Sequence, residues 1–188
     1  MSQSFAHPDP IPSTVPSANQ STIDGCSLHN LTFDSPATVI VAAKEMLLEY
    51  GHFVATHSVA TFCFGTLQRE VEKLPASYLT QNGGAILATI HGRPAGFVAW
   101  RSLPALASAW ELKRLWIRPQ TRGAGLGRTL VQAVMDRAQA SGKSIVLLDT
   151  APDAMAEAYR LYLKMGFVEC PPYNGSSLNG IVYLRKTL

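Results

Sequence analysis

Between Arg122 and Arg128 the chain reads RGAGLGR, with glycines at 123, 125 and 127. The next apolar residues, Leu126, Leu130, Val134 and Ala138, recur at helical spacing, so the glycines form a loop that opens a helix. Such a loop turns successive backbone N–H groups outward, with the positive end of the helix dipole behind them, and lets an anion approach closely. Arg122 and Arg128 can add charge-assisted hydrogen bonds to phosphate oxygens, and Arg114 and Arg118 are close in sequence. From Arg101 to Arg128 there are six basic residues against one acid, Glu111. The chemistry indicated is capture of a pyrophosphate.

Two common nucleotide loops do not fit. A phosphate-binding P-loop needs Gly, four residues, then Gly-Lys-Ser/Thr, whereas here Gly127 is followed by Arg128 and Thr129, and position 122 is Arg. The dinucleotide fingerprint GxGxxG, begun at Gly123 and Gly125, requires a third glycine where Arg128 stands.

The elements that hold this loop follow from composition and periodicity. A chain of 188 residues with 47% hydrophobic content has room for one domain with a real core. Its net charge of +3 falls short of the dense basic clustering of a nucleic-acid binder and suits a small anionic ligand equally well. Cys26, Cys63 and Cys170 form neither a zinc pattern nor a closed disulfide framework, and no His/Cys/Asp cluster has metal-ligand spacing, so a reducing compartment and no metal are expected. The first 43 residues contain no Lys or Arg, and no apolar run approaches the ~20 residues of a membrane helix. A cytoplasmic protein without membrane or nucleic-acid partners is expected.

Residues 1–24, with prolines at 8, 10, 12 and 16, read as a disordered or loosely packed arm, and 25–188 as the folded domain. Within it a helix starts near Ser35 and Pro36 and ends at Gly51, and a second carries Phe64, Leu67, Val71 and Leu74 until Pro75 stops it. Two β-rich runs around His91–Pro94 form a hairpin, and SAWELKRLWIRP supplies a third strand. The glycine loop and its helix come next. KSIVLLDT reads as a buried strand, 152–166 as a helix entered at Pro152, and FVEC and GIVYLRKTL as the last strands. The fold class is α/β of the mixed α+β kind.

LKRLWIRPQTRGAGLGRTLV resembles the acyl-CoA-binding motif of the GNAT N-acetyltransferase superfamily, Arg/Gln, two residues, Gly, one residue, Gly/Ala, at Arg122, Gly125 and Gly127. A second family signature, AxxLYxxxGF, is matched by Ala158, Leu161, Tyr162, Gly166 and Phe167, and the element order fits from about Ser35 onward, roughly four-fifths of the chain. The resemblance implies a GNAT-like domain with a mixed, mostly antiparallel sheet, splayed at the cofactor site. It implies acetyl-CoA as donor. Leu115, Trp116 and Ile117 would pair through their main chain with the pantetheine arm, and Arg122, Gly123, Ala124, Gly125, Leu126, Gly127 and Arg128 would hold the pyrophosphate.

Transfer of acetyl to a primary amine of a small molecule, amino acid or peptide is then implied, by direct attack on the thioester. That chemistry needs a base, an oxyanion donor and an acid for the leaving thiolate. Tyr162 matches the family tyrosine beside the sulfur that serves as acid. Glu111 stands eleven residues before Arg122, where several family members carry a catalytic glutamate; apolar Trp110 and Leu112 would raise its pKa, whereas Lys113 and Arg114 would lower it or form a salt bridge with it. A backbone N–H of the same strand is the expected oxyanion donor. Many members place an asparagine three residues before the signature alanine; here it is Met155, so that polar contact is either missing or supplied elsewhere, by Asp149 or Thr150 at the strand end. Tyr50 to His57, Tyr78 and Tyr173 to Asn179 would line the acceptor site. A homodimer and a non-catalytic acyl-CoA-binding module stay open.

Overall fold

The structure, a computed structural model, describes residues 23–57, 64–175 and 178–188. His91 and Gly92 both take positive φ, 48° and 74°, the backbone twist that lets two right-twisted strands pair across a two-residue turn. Five earlier and later strands build on the pair so joined. β1 (Cys26–Asn30) adds to β2 (Gly84–Ile90), which pairs with β3 (Arg93–Leu103), and β4 (Leu106–Ile117) lies on the far side of β3. β5 (Ile145–Thr150), β6 (Val168–Cys170) and β7 (Val182–Thr187) complete a sheet of order β1-β2-β3-β4-β5-β7-β6. Only β4 and β5 run parallel; the other neighbours are antiparallel.

Period-two alternation gives this sheet two buried faces. Ala85, Leu87, Phe97, Ala99 and Trp116 pack beneath α1 (Ala37–His57), α2 (Phe64–Glu72) and α3 (Ala76–Leu79). Ile86, Ala88, Val98, Leu112, Val146 and Leu148 pack on the opposite face beneath α4 (Leu126–Ala140) and α5 (Ala156–Lys164). The predicted α4 stripe of Leu126, Leu130, Val134 and Ala138 is buried there, and Gly142 (φ 70°) follows the helix in the left-handed conformation that suits glycine after a helix end. This is the expected mixed α/β domain.

Four details differ from the sequence reading. β1 was not foreseen, because CSLHN is short and half polar, as an edge strand with one wet side can be. α1 continues through Gly51 to His57, since Gly51 sits on the buried stripe with Ala43, Met46, Leu47 and Val54 and tertiary packing outweighs its helix penalty of about 1 kcal/mol. α2 ends at Glu72 ahead of Pro75, which caps the short α3. α5 begins at Ala156, with residues 152–154 in a turn, so Pro152 and Asp153 precede the helix. The arm at 1–24 lies outside the described residues except for Ile23 and Asp24, as does Cys63.

Candidate active site

β4 and β5 pair only through Ala109–Ile145, Trp110–Val146 and Glu111–Leu147. Beyond Glu111 the strands part, and β4 runs on to Ile117 with no strand among the described residues pairing its β5-facing edge. A bulge accompanies the divergence: Phe97 faces Trp116 and Ala99 faces Lys113, so β4 carries one more residue than β3 over this interval, and Arg114 adopts φ 58°.

A cleft of about 660 Å³ opens into this gap. One wall is Leu115, Trp116 and Ile117 with the glycine loop, and the other is the turn and helix from Asp153 through Lys164, with Phe53 of α1 at its margin. Gly125 stands at the α4 N-terminus with φ 86°, Gly123 has φ 83°, and a Cβ on either would meet nothing within 4 Å. Both glycines are therefore required by backbone conformation, and the space above them is open to a ligand. Arg122 lies over the Trp116 ring at 5.2 Å, donates from Nε to the Ile117 carbonyl (3.1 Å) and reaches Glu157 at 3.5 Å, joining the loop to both walls. Arg114 and Arg118 do not join the loop. Arg118 is held by Glu49 (2.7 Å) and the Pro94 carbonyl (2.9 Å).

At the apex, where the strands separate, a smaller cavity of about 80 Å³ is bounded by Leu112 to Leu115, Tyr50, Asp149, Thr150, Met155 and Tyr162. Tyr162 is 5% exposed and packs on Phe167, ring centroids 5.7 Å apart. Burial, and then the electrostatics of Tyr50 and Asp149, push its phenol well above the usual tyrosine range. Tyr162 thus keeps its proton at neutral pH, the state a proton donor needs.

Glu111 is fully buried on the α1 and α2 face of β4. Its Oε2 accepts from Arg101 Nε at 2.6 Å, and its Oε1 accepts from the Tyr173 hydroxyl at 3.0 Å with Lys113 Nζ 3.5 Å away. Lys113 also reaches Asp149 at 4.0 Å. Burial, then Glu111 and Asp149, hold the Tyr173 phenol far above its ordinary range. A second network fixes the bulge. Arg114 grips Glu70 of α2 with Nε–Oε2 2.9 Å and Nη2–Oε1 3.0 Å, and the Tyr78 hydroxyl donates to the same carboxylate at 2.6 Å. Burial alone would raise the Glu70 carboxyl, but the Arg114 and Tyr78 hydrogen bonds outweigh it and hold the group below the usual carboxylate range.

Of the residues singled out from sequence, Leu115, Trp116, Ile117, Arg122, Gly123, Gly125, Leu126, Gly127 and Arg128 line the large cleft, and Ala124 does not. Tyr162 lines the apex cavity, and Glu111 lines neither cavity. Tyr50 and Phe53 border the cavities, while Tyr78 is buried against Glu70; Ser176 and Ser177 of the expected acceptor loop lie outside the described residues. The second wall, with Arg160 and Lys164, was missed. Their i, i+4 spacing in the signature helix was the available signal. Among the described residues no three His, Cys, Asp or Glu side chains group as a metal site, and no helix is long and apolar enough to cross a membrane.

A sheet opened beside a bulge, with a glycine loop at one end of the gap and a buried tyrosine at the other, is the arrangement the GNAT resemblance implies. Residues 52–167 match the Acetyltransferase (GNAT) family, and the chain belongs to that family. An uncharacterized N-acetyltransferase of Schizosaccharomyces pombe is 36% identical over 95 residues, 50% of this chain and 57% of that protein. N-acetyltransferase 8B of Rattus norvegicus is 27% identical over 165 residues, 86% of this chain and 74% of that protein. The chain spans about half the length of the first relatives it matches. Among solved structures, an acetyltransferase of Salmonella typhimurium with its cofactor acetyl-CoA superposes at TM-score 0.64 with 18% identity, covering 87% of this chain and 94% of that one. A GNAT-family acetyltransferase of Staphylococcus aureus superposes at TM-score 0.67 with 17% identity, over 86% of this chain and 98% of that one. The last two establish the fold.

Proposed function

We propose that this chain is an acetyl-CoA-dependent N-acyltransferase that moves acetyl to a primary amine of a small molecule, amino acid or peptide by direct attack. The observation that carries this reading is the gap between β4 and β5, which joins the glycine loop to Tyr162 through one continuous wall, Leu115–Ile117. The residues suit the donor: Gly123 and Gly125 leave room for a pyrophosphate, and the open edge of β4 offers backbone groups to an extended arm.

Acetyl-CoA supplies an activated thioester, whose carbonyl carbon the amine attacks as the C–S bond breaks. The loop amides from Arg122 to Arg128 bind and orient it. A main-chain N–H of β4 beside the Arg114 bulge supports the carbonyl oxygen as its charge develops. Tyr162 gives its hydroxyl proton to the departing sulfur and regains one from the nitrogen as the amide forms. Glu111 is the acceptor-side base. Both its oxygens are occupied, so the ammonium proton passes through the Tyr173 hydroxyl, 3.0 Å from Oε1.

The test is thiol release from acetyl-CoA against a panel of amines, amino acids and peptides. Acceptor-dependent release supports an enzyme; tight acetyl-CoA binding with no release on any acceptor would leave a non-catalytic binding module.

A further inference from the structure

Thr150 ends β5 beside the apex cavity, on the same face as Val146 and Leu148, which belong to the core under α4 and α5. It is 5% exposed, and its Oγ1 is buried without a hydrogen-bond partner among the described residues. A buried hydroxyl in that state has given up water and received nothing, a situation folded proteins rarely leave in place unless something else supplies the partner. The other side chains so stranded, the indole N–H groups of Trp100 and Trp110, belong to a stacked pair in the core and border neither cavity. Among the described residues, Thr150 alone combines an unmet hydrogen bond with a place on a cavity wall.

Position along β4 says which part of the donor reaches it. The glycine loop and Ile117 line the large cleft, Leu115 is shared by both cavities, and Leu112 to Arg114 belong to the small one, so the small cavity receives the end remote from the pyrophosphate. Its volume of about 80 Å³ is that of two to three waters at ~30 Å³ each, which suits the three heavy atoms of an acetyl group. Met155 across the cavity offers no strong hydrogen bond, and Lys113 is engaged with both Glu111 and Asp149.

We infer that the Thr150 hydroxyl donates a hydrogen bond to the thioester carbonyl oxygen of the donor, making Thr150 a binding residue that separates acetyl-CoA from free CoA. This rests on the donor-cleft reading above. A free thiol has no carbonyl and is a weak acceptor, so the hydroxyl has nothing comparable to bind once the acetyl group has left.

Thr150→Val keeps the shape and removes the hydroxyl. Calorimetry should show acetyl-CoA binding weakened about fivefold to tenfold, the worth of one neutral buried hydrogen bond, with CoA binding unchanged. Thr150→Ser should restore the acetyl-CoA affinity. The ligand-free Thr150→Val protein should melt at the wild-type temperature or above, because no protein partner is lost. Equal losses for CoA and acetyl-CoA, no loss for either, or a melting temperature several degrees lower would each overturn the assignment. Failure of the wild type to bind acetyl-CoA would instead bring down the donor-cleft reading itself.

Discussion

Gly125→Val separates backbone demand from steric demand in the glycine loop. At φ 86° and ψ 1°, Gly125 holds a conformation that costs an L-residue about 1–2 kcal/mol, and a β-branched one more. Its Cβ would meet nothing within 4 Å, so no collision limits the substitution and the whole penalty falls on the backbone. The valine variant escapes by swinging φ negative, which turns the amides at the start of α4 away from the anion. A hydrogen bond to a charged group is worth about 1.5–3 kcal/mol, so losing two removes ~3–6 kcal/mol, a weakening of a hundredfold or more at ~1.4 kcal/mol per tenfold. Gly127→Ala is the contrast. Gly127 lies inside α4 without positive φ, and its Cβ would come 3.0 Å from Leu161 Cδ2, the movable end of a side chain, so repacking of about 1 kcal/mol limits the loss to roughly fivefold. Calorimetric titration with acetyl-CoA, alongside circular dichroism to confirm that α4 is folded, reads both. Binding by Gly125→Val within a factor of ~3 of wild type would refute the claim that these amides hold the pyrophosphate.

Tyr162→Phe keeps the packing on Phe167 and removes the proton donor, so kcat should fall about 100-fold while acetyl-CoA affinity stays within twofold; an unchanged rate across pH would take Tyr162 out of the reaction. If Glu111 draws the proton through Tyr173, then Glu111→Gln and Tyr173→Phe should each lower kcat/KM for the amine at least about tenfold, and the double variant should be little worse than either single one; independent, additive losses would break the relay. Glu70 is ionised more readily in the folded protein than its ordinary ~4.3, so its contribution is complete above that pH and is lost as pH falls through the lower folded value. Glu70→Gln should therefore flatten the loss of stability below about pH 4 and cost about 3 kcal/mol at neutral pH by leaving buried Arg114 without its countercharge, as followed by denaturant unfolding. A wild-type acid slope in the variant would assign that titration elsewhere.

The features legible in the sequence are those written locally. The glycine loop, the apolar stripe of α4 and the Ala158–Phe167 signature each occupy one short segment, so spacing places the first two and the family resemblance the third. Features made by register were not legible. Arg101 reaches Glu111 because the β3–β4 pairing brings positions ten residues apart side by side, and Tyr173 arrives from 62 residues away. Neighbouring Lys113 and Arg114 looked equally able to pair with Glu111. The bulge sent Arg114 to α2 instead, where Glu70 waits 44 residues distant. Lys113 alone stayed with Glu111.

That bulge explains why one strand can serve both reactants. Before it, Trp110 and Leu112 face the α4 core, while Glu111 and Lys113 face α1 and α2. After it the order is exchanged: Leu115 and Ile117 pack toward α4, and Trp116 joins the α1 core. In an uninterrupted strand Leu115 and Ile117 would share the face of Glu111 and Lys113, because the side-chain period is two and one residue flips every later position. The additional residue thus lets β4 present buried charge to the proposed acceptor side at one end and an apolar wall with an open backbone edge to the proposed donor side at the other. The two halves meet at Arg114, whose φ of 58° is tolerated because Glu70 of α2, itself held by the Tyr78 hydroxyl of α3, fixes its guanidinium. In the proposed transfer, thioester, amine and proton donor converge within a few ångströms, and the point where β4 changes face is where those surfaces would meet.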